Sequence, residues 1–239
     1  MTLQKMALQG ISSLARTGVF FTLVFFLVAS ADAAQAAGIF GISERPATMR
    51  DGWHVKVSPY WRHIMTEEAK TPSFTATGEH FRPGDAITWR NIIGYARQNS
   101  ELEALRTING FFNHWLPKDD QRTWNATEYW AVPKEFFAKR GGDCEDYAIA
   151  KYFALRYLGF PANRMRIVIV RELDPQGRAD PFMHAVLAVA ANNTWFILDN
   201  NARPRNNIFP HTQYKGRFVP VYSCNENGAW IHGKSGAGV

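Results

Sequence analysis

The period of the apolar residues changes once along this chain, at Gly159-Phe160-Pro161. Before that point, Tyr147 to Leu158 is rich in apolar residues and has no internal Gly or Pro. That is the length and composition of a buried helix, with Gly159 as its stop and Pro161 just beyond. After it, Met165-Arg166-Ile167-Val168-Ile169-Val170 alternates and is β-branched, which predicts a strand. Met183 to Val189 predicts a second strand. Thr194 to Asp199 predicts its return partner across an Ala191-Asn192-Asn193 turn. Phe218 to Tyr222 predicts a last strand, with Pro220 suggesting a sheet edge. Helices come first and an antiparallel sheet second, so the expected class is α+β.

Upstream, residues 85–97 suit a helix, and a firmer one follows Ser100, a good N-cap. There Leu102, Leu105, Ile108 and Phe112 recur on one face. Leu116 to Asn125 reads as a polar loop carrying Asp119 and Asp120. Pro133 opens a short helix through Phe136 and Phe137. Residues 38–84 are the least regular, with Trp53, Tyr60 and Trp61 expected to pack on the domain.

The block Gly141-Gly142-Asp143-Cys144-Glu145-Asp146-Tyr147-Ala148 carries the chemistry. Asp143 stands at the N-cap of a helix over roughly 144–158, so Cys144 lies in its first turn. Unpaired amides there lower a thiol pKa and expose the nucleophilic thiolate. A cysteine nucleophile also needs a base and a group that orients the base. His184 and Asp199 lie on the two strands of the predicted hairpin. If opposed residues sum to an odd number, the two share one face, and an even sum separates them.

Asp143, Glu145 and Asp146 oppose ionisation of the sulfur beside them, because like charges raise a thiol pKa. Two solutions are open. The acids point into solvent and serve the helix start, or they bind a hard cation such as calcium, with help from the Asp119-Asp120 loop.

With 46% apolar and 20% charged residues the composition is that of a globular protein, not a disordered chain. Lys5 and Arg16 precede the apolar run Val19 to Ala29, and Ala31-Asp32-Ala33 and Ala34-Gln35-Ala36 follow. This pattern predicts a secretory signal peptide over residues 1–36 and one domain over 37–239. The net charge of +6 is scattered and forms no basic stripe, so no nucleic-acid partner is expected. In an exported protein, two cysteines also allow a Cys144–Cys224 disulfide and a non-catalytic binding module.

These residues resemble the bacterial transglutaminase-like cysteine proteinases, an exported branch of the papain and transglutaminase superfamily. The resemblance runs from Ile108 to Trp230 through Phe111-Phe112-Asn113, Tyr129 to Phe136, Gly141 to Leu158, His184 to Ala188, Leu198-Asp199-Asn200 and Pro220 to Ser223. It implies a papain/transglutaminase-like core in which a cysteine helix packs on a sheet carrying His and Asp. It implies Cys144 as nucleophile, His184 as base, Asp199 as orienting acid, and calcium near Asp143, Glu145 and Asp120. A periplasmic endopeptidase is implied, processing a large surface adhesin in biofilm dispersal, under an inner-membrane cyclic-di-GMP receptor. The same triad also serves transglutaminases and amidases acting on protein or cell-wall amides.

Overall fold

The computed structural model describes residues 38–48 and 58–233. The expected signal peptide and Trp53 lie outside them. Among the described residues, no helix is long and apolar enough to cross a membrane.

Among the described residues six α-helices precede the main run of strands: α1 (Ser58–Lys70), α2 (Pro83–Gln98), α3 (Glu101–Asn113), α4 (Asp120–Trp124), α5 (Pro133–Lys139) and α6 (Cys144–Tyr157). The starts follow local chemistry. The Ser100 hydroxyl accepts the Glu103 amide at 3.3 Å, and Pro83 and Pro133 sit where a helix needs no amide donor. Two helices depart from expectation. The 116–125 loop contains α4, because Asp119 caps it by accepting the Arg122 amide at 2.9 Å. The irregular stretch before residue 84 contains α1, which buries Trp61, Ile64 and Glu68; the Trp61 indole donates to Asn225 O at 3.2 Å. As expected, Tyr60 and Trp61 pack on the domain, Tyr60 by stacking on Trp130.

Among the described residues seven strands form one sheet, β1 (Glu44–Pro46) ahead of the helices and six after them: β2 (Met165–Leu173), β3 (Ala179–Ala191), β4 (Thr194–Leu198), β5 (Phe209–Pro210), β6 (Phe218–Asn225) and β7 (Gly228–His232). Their order is β1-β7-β6-β2-β3-β4-β5, with antiparallel pairing throughout. The α+β expectation holds. The expectation of an edge at Pro220 does not, since β6 lies between β2 and β7. Proline lacks the amide a central strand would use, and the ladder adapts with a slip. Ile169 faces Tyr222 but Val170 faces Pro220, so Val221 is an extra, bulged residue.

The sheet has two covered faces. On one, the helices pack through Trp89, Leu105, Ile108, Phe112, Phe136 and Phe137 against Ile167, Leu187, Val189 and Leu198. Helix α6 is buried almost all round, which explains its weak amphipathic pattern. On the other face, Ile39 and Phe40 join Val168, Val186, Ile197, Tyr214 and Phe218.

Candidate active site

Two glycines allow α6 to begin where it does. Gly141 has φ 133°, and a Cβ there would lie 2.4 Å from Leu116 O. A Cβ on Gly142 would lie 2.0 Å from Asp146 Oδ2. Any larger residue at 142 displaces the Asp146 carboxylate, which accepts the buried Ala131 amide at 2.8 Å. The Tyr147 hydroxyl ties the same turn to Trp115 O at 2.7 Å. Asp143 holds the N-cap position, but its side chain makes no capping bond.

The hairpin register places the second pair. Asn192 and Asn193 take positive φ of 47° and 59°, the turn that two-residue hairpins favour and that Asn tolerates. Leu187 then faces Leu198, an odd sum, and His184 and Asp199 fall on one face. His184 Nε2 and Asp199 Oδ1 are 3.0 Å apart and buried. Asp199 Oδ1 also accepts the Asn201 amide at 2.8 Å, and Asn113 donates to Asp199 O at 2.8 Å. Burial works against the Asp199 anion, but His184, the Asn201 amide and Lys151 outweigh it and hold the carboxyl below its ordinary range. With Nε2 engaged by Asp199, Nδ1 is the ring nitrogen left to handle a thiol proton.

The sulfur lies against the strand that carries His184, at the rim of the sheet. β4 pairs with β3 only from Leu187 onward, so β3 continues without β4 beside it. There the Ala185 amide donates to Cys144 Sγ at 3.3 Å, one residue from His184. The thiol donates to Glu145 Oε2, also at 3.3 Å. The expected opposition of the neighbouring acids outweighs the helix start. Burial, then the charges of Glu145 and Asp143, push the Cys144 thiol well up, and the Ala185 amide only partly opposes them. The disulfide reading is also overturned. Both cysteines are free, and Cys224 is buried in the core on β6, opposite Ile167 and Ala229.

The acids do not point into solvent. Glu145 and Asp146 are buried, and Asp120 joins them from α4. Carboxylate oxygens of Asp120, Asp143 and Asp146 lie within 4.8 Å of one another, as do those of Asp120, Glu128 and Glu145. Asp120 Oδ1, Asp143 Oδ1, Glu145 Oε1 and Asp146 Oδ2 are buried with no hydrogen-bond partner. Burial followed by Asp143 raises Asp120 to about 6; burial likewise raises Asp143, Glu145 and Asp146. Buried carboxylate oxygens need donors or a cation, and an all-oxygen donor set suits calcium. The cluster therefore fits such an ion.

Sequence reasoning named Asp143, Glu145 and Asp120, and the structure brings all three together with Asp146 and Glu128. Asp146 was legible as a neighbour one turn from Asp143. Glu128 follows Asp120 by eight residues with no period to reveal it. Lys151 was also passed over. It lies two turns after Cys144 on α6 and is wholly buried.

Known proteins resemble this chain in sequence and in fold. The family model for the bacterial transglutaminase-like cysteine proteinases (BTLCP) matches residues 88–236. Calcium-bound LapG of Legionella pneumophila matches with a TM-score of 0.51 and 27% identity, over 74% of this chain and 92% of that one. A second LapG structure matches with a TM-score of 0.51 and 28% identity, over 71% and 86%. EGTA-treated LapG also gives 0.51 and 27%, over 73% and 89%. No curated protein matches the chain. The chain is a cysteine peptidase with the α+β core of its relatives, and it belongs to the bacterial transglutaminase-like cysteine proteinases.

Proposed function

We propose that this chain is an exported, calcium-dependent cysteine endopeptidase with Cys144, His184 and Asp199 as its triad. One observation carries the reading. A buried His184–Asp199 pair at 3.0 Å stands one residue from the amide that holds the Cys144 sulfur. Asp199 fixes the ring through Nε2, and His184 Nδ1 takes the thiol proton. Cys144 Sγ then attacks a peptide carbonyl and forms a tetrahedral oxyanion. The Cys144 amide, at a helix start with no intrahelical acceptor, donates to that oxygen. His184 returns the proton to the leaving amine as the C–N bond breaks. Water then hydrolyses the thioester, with His184 again as base.

Asp120, Asp143, Glu145 and Asp146, with Glu128, are the residues that would hold calcium. Bound there, it neutralises the charges that oppose the thiolate. The LapG structures with calcium bound and after EGTA treatment support a calcium role by likeness.

The substrate proposed is a large surface adhesin met in the periplasm, where the signal peptide over 1–36 would deliver a catalytic domain spanning 37–239. An inner-membrane cyclic-di-GMP receptor is the proposed regulator. These rest on the family resemblance. Cells lacking the chain should accumulate an uncleaved surface protein. Wild-type protein, but not Cys144→Ala, should cleave that protein in vitro. Undiminished cleavage by Cys144→Ala overturns the nucleophile assignment. Mass spectrometry of the products distinguishes hydrolysis from transfer to an amine.

A further inference from the structure

Phe40 is held in a backbone conformation that a bulky residue rarely adopts. Its φ is 59° and its ψ 16°, in the left-handed region. Gly38 at φ 67° and Gly41 at φ 71° flank it, and a Cβ on Gly38 would lie 1.9 Å from Ile42 O. The Phe40 amide ties this turn to the domain by donating to His211 Nδ1 at 2.7 Å. Glycine would suit this φ without strain, so the reason for a phenylalanine here lies in its side chain. The turn precedes residues 88–236, over which the chain matches its family.

The Phe40 ring is buried and meets Phe218 edge-on, with centroids 5.9 Å apart and planes at 85°. Tyr214 stacks on Phe218 at 4.6 Å and 18°. Phe218 in turn meets the His184 ring at 5.8 Å and 60°. The register explains this last contact. His184 and Pro220 face Val170 from opposite sides, and Phe218 stands two residues before Pro220, on the same face of the sheet. The His184 ring is therefore held twice, by Asp199 at Nε2 and by the Phe218 ring. A single hydrogen bond leaves a ring free to tilt about it. An apolar wall removes that freedom without competing for Nδ1.

We propose that Phe218 is a positioning residue for the His184 ring, and that the turn carrying Phe40 locks Phe218 in place. The inference rests on the triad assigned above and adds two residues that act through the histidine. It makes the start of the domain, ahead of every helix, part of what supports the active site. The strain at Phe40 is retained because relieving it with glycine would remove the ring that backs Phe218.

The test uses Phe218→Leu and Phe40→Gly, each alone and in a His184→Ala background, in buffer with calcium. Two quantities are read: the melting temperature, and the rate at which Cys144 displaces iodide from iodoacetamide, followed by mass spectrometry of the Cys144 peptide. Each variant should slow alkylation by about tenfold, as a misplaced reacting group does. Val168→Ala is the packing control, in the same apolar layer but opposite Ser223. It should lower the melting temperature and leave the rate within about twofold of wild type. In the His184→Ala background neither Phe218→Leu nor Phe40→Gly should slow alkylation further, because the group they act through is gone. A Phe218→Leu rate within about twofold of wild type overturns the inference. So does slowing of like size by Val168→Ala, or slowing that persists without His184, since either marks a general loosening of the fold. A wild-type rate for Phe40→Gly overturns the part given to the turn. If His184→Ala itself alkylates at the wild-type rate, the triad fails and the inference with it, an outcome distinct from the others. Should Phe218→Leu fail to fold, Phe218→Met keeps a long apolar chain there and carries the same comparison.

Discussion

Calcium binding at the acidic cluster should weaken on acidification in a way the structure sets. Protons and calcium compete for the same carboxylates. Asp120 is held at about 6 by burial and by Asp143, against about 3.9 in an unfolded chain. Its folded pKa is raised, so without a cation its contribution to stability is present at low pH and is lost as pH rises through 6. Calcium reverses this by occupying the ionised form. At about pH 7.5 the Asp120 proton is already off and no longer competes with calcium. At about pH 5 the proton must be displaced, at a cost of about 1.4 kcal/mol, or roughly tenfold in affinity. Asp143, Glu145 and Asp146 are raised in the same direction, so this is a lower bound.

The assay is thermal unfolding with excess calcium and with EGTA at each pH. Calcium at about 100 times its Kd adds about 2.7 kcal/mol, and in a domain of this size each kcal/mol moves the melting temperature by about 2–4 °C. The calcium increment should shrink by about 3–6 °C between pH 7.5 and 5. Taking the difference between the two melts removes other groups that titrate in this range, His232 and Lys151 among them. An increment that is absent, constant, or larger at low pH refutes the cluster as the calcium site.

Two further predictions are independent of that site's titration. Gly142→Ala puts a methyl 2.0 Å from Asp146 Oδ2 and forces that carboxylate off the Ala131 amide. The loss should be about 1.5–3 kcal/mol by denaturant unfolding, and an unchanged midpoint refutes the packing argument. Thiol titration of the mature protein without reductant should count two thiols after denaturation. In the native protein Cys224 should react far more slowly than Cys144, because it is 1% exposed; a bridged pair would refute the assignment.

Much of the fold was legible because two local signals are strong. The Asn192-Asn193 turn fixes a two-residue hairpin, and strand alternation then decides the faces of His184 and Asp199. Ser100 and Pro133 mark helix starts whatever surrounds them. What stayed hidden depended on distant partners. α1 was missed because Glu68 occupies a core position in its apolar stripe, and its acid reads as surface until its burial is seen. Pro220 suggested an edge, yet a bulge against β2 absorbs the missing donor inside the sheet. The acids around Cys144 read equally as helix-start decoration. Only the approach of α4, bringing Asp120, shows that they face inward.

Glu145 connects the metal cluster to the nucleophile, and this gives the sharpest test of why acids surround a sulfur that must ionise. Its Oε2 receives the thiol, while Oε1 is buried without a partner near Asp120 and Glu128. After burial, Glu145 is the largest cause of the raised thiol pKa. Glu145→Gln keeps the shape and removes that charge. In EGTA, its Cys144 should alkylate faster than wild type, by about tenfold for each pKa unit recovered. Calcium should then accelerate it less, because the repulsion that the cation relieves is already gone. Slower alkylation in EGTA would show that the carboxylate assists the sulfur rather than opposing it. An undiminished calcium response would place the cation's action elsewhere than at Glu145.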